Sequence, residues 1–213
     1  MARFMDLFDE VRAHVPKAPQ PEIERAIKRA VVKFCRDSHI WREWHEMKVK
    51  PNIKEHRIRP RSGRVEAIRS ARYEDDDVKR TDMLQAQWAL VIHPERELFN
   101  RPRNFALSPE GERIAFSPIP DEPLSKNPKA HLYLILVPER DTDFYPDHIA
   151  EEWEESIVHG ALFYLYRTPN KPWSSQQRAG TERFEFYTDI NRATRESHTD
   201  NWAPTMTRMR KWV

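Results

Sequence analysis

Glycine is scarce, with 4 residues in 213. So few leave no material for the Gly-rich turns that cradle phosphate: neither G-x-x-x-x-G-K-[ST] nor G-x-G-x-x-G occurs, and the G-x-S-x-G elbow of many hydrolases is missing too. Cysteine is scarcer still. Cys35 stands alone, which excludes an internal disulfide and any multi-cysteine metal site and fits folding in a reducing compartment. Long apolar runs are also wanting. No stretch approaches the ~20 residues of a membrane span, and the opening MARFMDLFDEV alternates charge with apolar residues where a signal peptide would carry an apolar core. Nor does either sign of charge dominate: 36 Lys and Arg face 34 Asp and Glu, so net charge selects no partner. These absences predict a soluble protein made in the cytoplasm, with no cofactor and no metal.

What is present is charge and aromatic area. Charged residues make up 33% of the chain, yet it holds 7 Trp, 6 Tyr and 10 Phe, a ring content that disordered chains lack. Large rings on a charge-rich chain suit either an ordinary core or a surface partly covered by partners. The charge is unevenly spread. Lys48, Lys50, Lys54, Arg57, Arg59, Arg61, Arg64, Arg69 and Arg72 oppose only Glu55 and Glu66, and the run EDDD follows at 74–77. Such a basic stripe can face a polyanion, dock on an identical subunit, or simply be solvated.

Hydrophobic spacing divides the chain. Phe4, Leu7, Phe8, Val11 and Val15 mark one amphipathic helix; Ile23, Ile27, Val31, Phe34 and Cys35, with Trp41 beyond them, mark a second that starts at Pro21. Residues 1–44 thus read as a helical hairpin. From 45 to 146 the helical period vanishes, prolines recur, and MKVKPN, RIRP, VEAIRSARY, WALVI, RIAFSPI and HLYLILVP read as strands of an antiparallel β insertion. Residues 94–109 and 118–128 read as proline-bounded loops. Helical spacing returns over 147–195. A third helix, capped by Asp147, carries Ile149, Trp153, Ile157, Gly160, Ala161 and Tyr164, and a fourth carries Phe184, Tyr187 and Ile190. Glu151, Glu152, Glu154 and Glu155 gather near the third helix's start, where its dipole favours them. Gly160 and Ala161 leave a flat spot that predicts close approach by another helix, because a mid-helix glycine costs roughly 1 kcal/mol relative to alanine.

Between these helices lies NKPWSSQQ, residues 170–177. Pro172 pins its own φ and pushes Lys171 out of the α region; Ser174 and Gln177 have capping-box spacing. Pro172, Trp173, Ser174 and Gln177 therefore read as a stiff corner, with the indole offered to a surface either within this chain or on a neighbour. The final stretch, 196–213, has no trustworthy period but holds Trp202, Met206, Arg208, Met209, Arg210, Lys211 and Trp212. Exposed ends normally avoid such residues, which predicts an extended arm that docks on another surface. The expected fold is α+β: a helical bundle from both ends of the chain, an inserted antiparallel β module, and that arm.

Catalytic tools are few. Glu155 and His159 have the i, i+4 spacing of two metal ligands, with Glu151 one turn earlier, but no third ligand follows at a telling distance. HEM at 45–47 starts like a zinc-protease motif and fails at Val49, where the second histidine belongs. EDDD lacks the glycine and closing glutamate of a calcium loop and reads as a hydrated turn. Arg57, Arg59 and Arg61 alternate as if on one strand face, the basis of a non-specific nucleic-acid-binding alternative.

Read in order, FMDLFDEV, AIKRAVVKFCRDSHIWRE, GRVEAIRSARY, NRPRNFALSPEGERIAFSPIPDEP, FYPDHIAEEWEESIVHGALFYLYRTPNKPWS and RAGTERFEFY resemble the head-to-tail adaptor (connector) proteins of tailed bacteriophages. The likeness spans most of residues 3 to 190, and its most specific piece is IVHGALFYLYRTPNKPWSS. The resemblance implies a structural virion protein and not an enzyme: a ring, usually of twelve copies, placed under the portal protein, joined to a tail nozzle or tail tube, with genomic DNA passing through its channel and no membrane partner. It implies that the C-terminal arm reaches the portal, and makes Arg57, Arg59, Arg61 and Arg64 candidates for subunit interface or lumen.

Overall fold

The computed structural model describes residues 1–74, 76–81, 100–121, 128–139 and 141–199. It is a mixed α+β protein whose chain divides into two compact units, one built from Met1–Ile40 together with the chain from Asp143, the other from Trp41–Thr142.

The first unit is helical. A two-residue strand β1 (Ala2–Arg3) leads through a 3-10 turn (Phe4–Leu7) into α1 (Phe8–His14). The spacing that marked this helix is its buried face: Leu7, Phe8, Val11 and Val15 are all buried. Helix α2 (Gln20–Ser38) has Pro21 in its first turn and ends where His39 adopts a left-handed φ of 54° and returns its N–H to the Cys35 carbonyl at 3.1 Å. Ile23, Ile27, Val31, Phe34 and Cys35 line its inner stripe, while Trp41 falls beyond the helix and belongs to the second unit.

Helix α3 (Asp147–Tyr166) and helix α4 (Gln176–Thr199) complete the unit, and α2 packs against both. Two expectations are corrected here. Pro146, not Asp147, holds the N-cap position of α3; the φ of proline is already suited to helix entry, and Asp147 becomes the first helical residue. In α4 the buried ring is Phe186, with Ala179, Ile190, Ala193 and Ser197 in register, whereas Phe184 is 68% exposed. The helix also continues past Thr194 to Thr199.

The flat spot predicted at Gly160 is real. A Cβ there would stand 2.6 Å from Phe186 Cε2 and 2.9 Å from the Cβ of Ala30, so both neighbouring helices press on the bare backbone. Two turns earlier Trp153 departs from helical geometry (φ −130°, ψ 22°) and kinks α3. Its indole lies against Phe34, centroids 5.3 Å apart, and beneath the Arg192 guanidinium at 4.6 Å.

The second unit is a seven-stranded sheet. Its strands, in chain order, are β2 (Arg42–Lys48), β3 (Glu55–Arg57), β4 (Arg64–Tyr73), β5 (Asp76–Arg80), β6 (Asn104–Leu107), β7 (Arg113–Ser117) and β8 (Lys129–Val137), arranged β2-β8-β4-β5-β6-β7-β3. A further strand, β9 (Phe144–Tyr145), pairs with β1 in the helical unit. β8 is an interior strand in which Ala130, Leu132, Leu134 and Leu136 present an unbroken buried row, and it pairs antiparallel with both β2 and β4. Two register shifts in β4, between Val65 and Ala67 and between Ile68 and Ser70, bend that strand.

The sheet is not wholly antiparallel as expected. β5 and β6 pair parallel, Lys79 opposite Asn104, which the long connection between them permits. β6 lies inside the segment read as a loop, and β5 contains Asp76 and Asp77 from the run read as a hydrated turn. The strands marked MKVKPN and RIRP begin earlier than expected, at Arg42 and Glu55; WALVI at 88–92 lies outside the described residues.

Candidate functional site

The corner at 170–177 is the densest feature of the helical unit. After α3 the chain turns through Asn170, at a left-handed φ of 58°, and is tied back twice: the Ser175 amide donates to the Tyr166 carbonyl at 3.0 Å, and the Ser174 hydroxyl donates to the Thr168 carbonyl. Ser174 also accepts from the Lys171 amide at 3.0 Å. It is therefore a brace within the loop and not the helix cap. Ser175 takes that role, accepting the Arg178 amide at 3.4 Å, and Gln177 is exposed. The capping box was placed one residue early because two serines stand in a row.

Trp173 is half-buried. It lines an open cleft of about 410 Å³ with the α1–α2 connection (His14, Val15, Pro16, Lys17), the end of α3 (Tyr166) and the start of α4 (Ser175, Arg178). The ring thus shares a cleft with the α1–α2 connection and the start of α4. Its indole N–H is enclosed and has no protein partner, and the Lys171 ammonium lies 5.6 Å from the ring centroid. Pro172 stands exposed at the lip. Lys17 and Arg178 make the cleft cationic, with no carboxylate among its walls.

The basic segment 48–72 does not form one continuous face. β3 ends at Arg57, so Arg59 and Arg61 lie in the following connection and the expected alternation on a strand is broken. Arg57 pairs with Glu112 at 3.6 Å, Arg64 with Glu66 at 3.6 Å and Arg72 with Asp77 at 2.8 Å. Arg57, Arg59 and Arg64 line a cleft of about 1020 Å³ that also carries Glu110, Glu112, Glu139 and Asp141. Such a mixed surface suits a salt-bridged protein contact better than a phosphate backbone. In its floor Gly111, at φ 76°, sits so close under the Val65 carbonyl that no side chain fits.

The acidic run resolves the same way. Asp77 holds Arg72, and Asp76 holds Arg101 Nε at 2.7 Å, so the aspartates brace the β4–β5 hairpin. His159 does not face Glu155. Its Nδ1 lies 2.6 Å from Glu182 of α4, an interhelical tie rather than a pair of ligands on one helix face. His45 of the HEM sequence is on strand β2, and among the described residues no three His, Cys, Asp or Glu side chains converge as metal ligands. Cys35 is fully buried, and burial pushes its thiol up to about 12, which removes the thiolate needed for nucleophilic work. No described helix is long and apolar enough to cross a membrane.

Two rings more than half exposed escaped the sequence reading. Trp44 of β2 is 61% exposed and stacks on Tyr133 of β8 with centroids 4.6 Å apart, Arg42 lying over the same tyrosine at 5.9 Å. Phe184 is the other. The signal for Trp44 was its alternation with Glu46 and Lys48, which a strand places on one face, opposite the buried Met47. The arm residues Trp202, Met206, Arg208, Met209, Arg210, Lys211 and Trp212 lie outside the described residues. No family model matches the chain, and no curated protein matches it.

Proposed function

We propose that this chain is a structural head-to-tail adaptor of a tailed phage, a ring subunit that joins the portal to the tail and lets DNA pass. The observation that carries this reading is the collinear resemblance over most of residues 3 to 190, whose most specific piece runs into the Pro-Trp corner. The surface supports it. Trp44 and Phe184 are exposed large rings, and the cleft above β3 mixes both signs of charge, the makings of contacts in which rings supply affinity and charges set register. In this reading the helices from both ends of the chain act as one bundle carrying the β module, twelve copies form the ring, and the arm from residue 200 grips the portal. The β module then meets neighbouring subunits or the nozzle or tail tube. The protein is made in the host cytoplasm, resides in the virion neck, and performs no catalysis.

Electron microscopy of the purified chain mixed with its portal tests this: an added ring of density under the portal is the expected outcome, and portals that stay bare overturn the proposal. A companion chain lacking 200–213 should keep the melting temperature of the full chain and lose portal capture. The cut belongs after Thr199 because Ser197 is buried and donates to the Thr194 carbonyl at 2.8 Å.

A further inference from the structure

We propose that the cationic corner cleft receives the acidic start of α3 from a second copy of this chain, so that the helical unit carries both halves of a head-to-tail contact; the inference rests on the adaptor reading and names the interface within it.

The two surfaces are complementary in charge. The cleft offers Lys17 and Arg178 without a carboxylate, and the first turn of α4 opens beside it, adding the partial positive charge of a helix N-terminus. The start of α3 offers Glu151, Glu152, Glu154 and Glu155, all exposed. The helix dipole rewards charges in the first turn only, while Glu151 and Glu155, at i and i+4, repel each other. Four such carboxylates in five positions are thus a local cost that cations from outside would relieve.

They cannot meet within one copy. Tyr166 marks the cleft end of α3 and Glu151 the acidic end, roughly 22 Å apart along the same helix axis. A surface and its complement at opposite ends of one rigid element give a heterologous contact, which repeats from copy to copy and closes as a ring when the rotation allows. The cleft is also built for docking. Pro16 and Pro172 line it together with the half-buried Trp173, stiff residues that lose little entropy when covered, and Trp is among the types that anchor interfaces.

Charge exchange tests the pairing in the full chain. One variant carries Glu151→Lys, Glu152→Lys and Glu155→Lys; the other carries Lys17→Glu and Arg178→Glu. Under conditions where the natural chain assembles, sedimentation should find each variant as single copies, and an equimolar mixture should regain assemblies, because each variant then offers what the other lacks. A variant that assembles by itself like the natural chain overturns the inference, as does a mixture of two folded variants that stays dissociated. Variants that lose portal binding but still assemble assign the cleft to another partner and also overturn it. As a second measurement, a chain with Glu152→Cys and Lys17→Cys should give a ladder of disulfide-linked oligomers under mild oxidation, the buried Cys35 staying silent. Assembly without that ladder is the contrary result. A natural chain that never self-associates, alone or on the portal, sinks the adaptor reading itself, a result distinct from misassigned faces within a real ring.

Discussion

Gly160 and Gly180 are both helical glycines, and their surroundings demand opposite responses to the same methyl group. At Gly160 the new Cβ meets Phe186 and Ala30 below 3.0 Å; at Gly180 it meets nothing within 4 Å. Alanine gains roughly 1 kcal/mol of helix propensity at either position, but overpacking typically costs 1–3 kcal/mol. Gly160→Ala should therefore lower the melting temperature, while Gly180→Ala should raise it by a few degrees; thermal unfolding followed by far-UV circular dichroism reads both. A rise at Gly160 would show that the helices do not press on it. His56 carries a pH prediction. Burial lowers its pKa, and its Nε2 accepts the Lys50 amide at 2.9 Å. A histidine whose folded pKa is depressed binds its proton more readily when unfolded, so its contribution is intact above the ordinary value near 6.5 and is lost as pH falls below it. The melting temperature should drop below about pH 6.5 in the natural chain, and His56→Gln should flatten that part of the profile; equal slopes would clear His56. The value of Gly160 was legible in the sequence because a glycine in mid-helix is a cost needing a reason. Phe184 and Phe186 were confused for an equally physical reason. Two residues apart on a helix they face different ways, and the partly buried Glu182, committed to His159, breaks the apolar stripe that would have chosen between them.

At the scale of elements, the corner shows what spacing can and cannot tell. Proline restricts backbone geometry wherever it occurs, so the stop between α3 and α4 was readable; which serine capped the helix was not, because Ser174 and Ser175 differ only in what the loop places beside them. The same limit hid β6. Asn104–Leu107 is a four-residue strand between Pro102 and Pro109, too short to announce itself, and it exists because Phe105 and Ala106 find a buried place between β5 and β7. The half-buried state of Trp173 moderates the cost of removing it. Full burial would put Trp→Ala at 3–5 kcal/mol; with part of the ring in solvent and its N–H unpaired, roughly 1–2 kcal/mol is expected. Chemical denaturation should register that loss as a lower midpoint with an unchanged slope. An unaltered midpoint would mean that the corner holds its angle through the Ser174 and Ser175 bonds alone.

For the whole molecule, the division into units matters most. The period change near residues 45 and 146 was readable because helices and strands repeat their apolar residues at different intervals, and the observed boundaries fall at Trp41 and Thr142. Each unit owns a core: Ile23, Ile27, Phe34, Ile157 and Phe186 in the first, Ile68, Phe105, Ile114, Leu132 and Leu134 in the second. A unit with its own core should fold without the other. We expect a chain in which residues 41–142 are replaced by a flexible linker of about 12 Gly and Ser residues to melt cooperatively with the helical spectrum of α1 to α4. Loop-closure cost rises only slowly with length, so trading a long insertion for a short linker changes the entropy by about 1–2 kcal/mol in favour of folding. Broad, non-cooperative melting of that chain would mean that the helices need the sheet, and that the β module is part of one indivisible fold instead of an independent attachment.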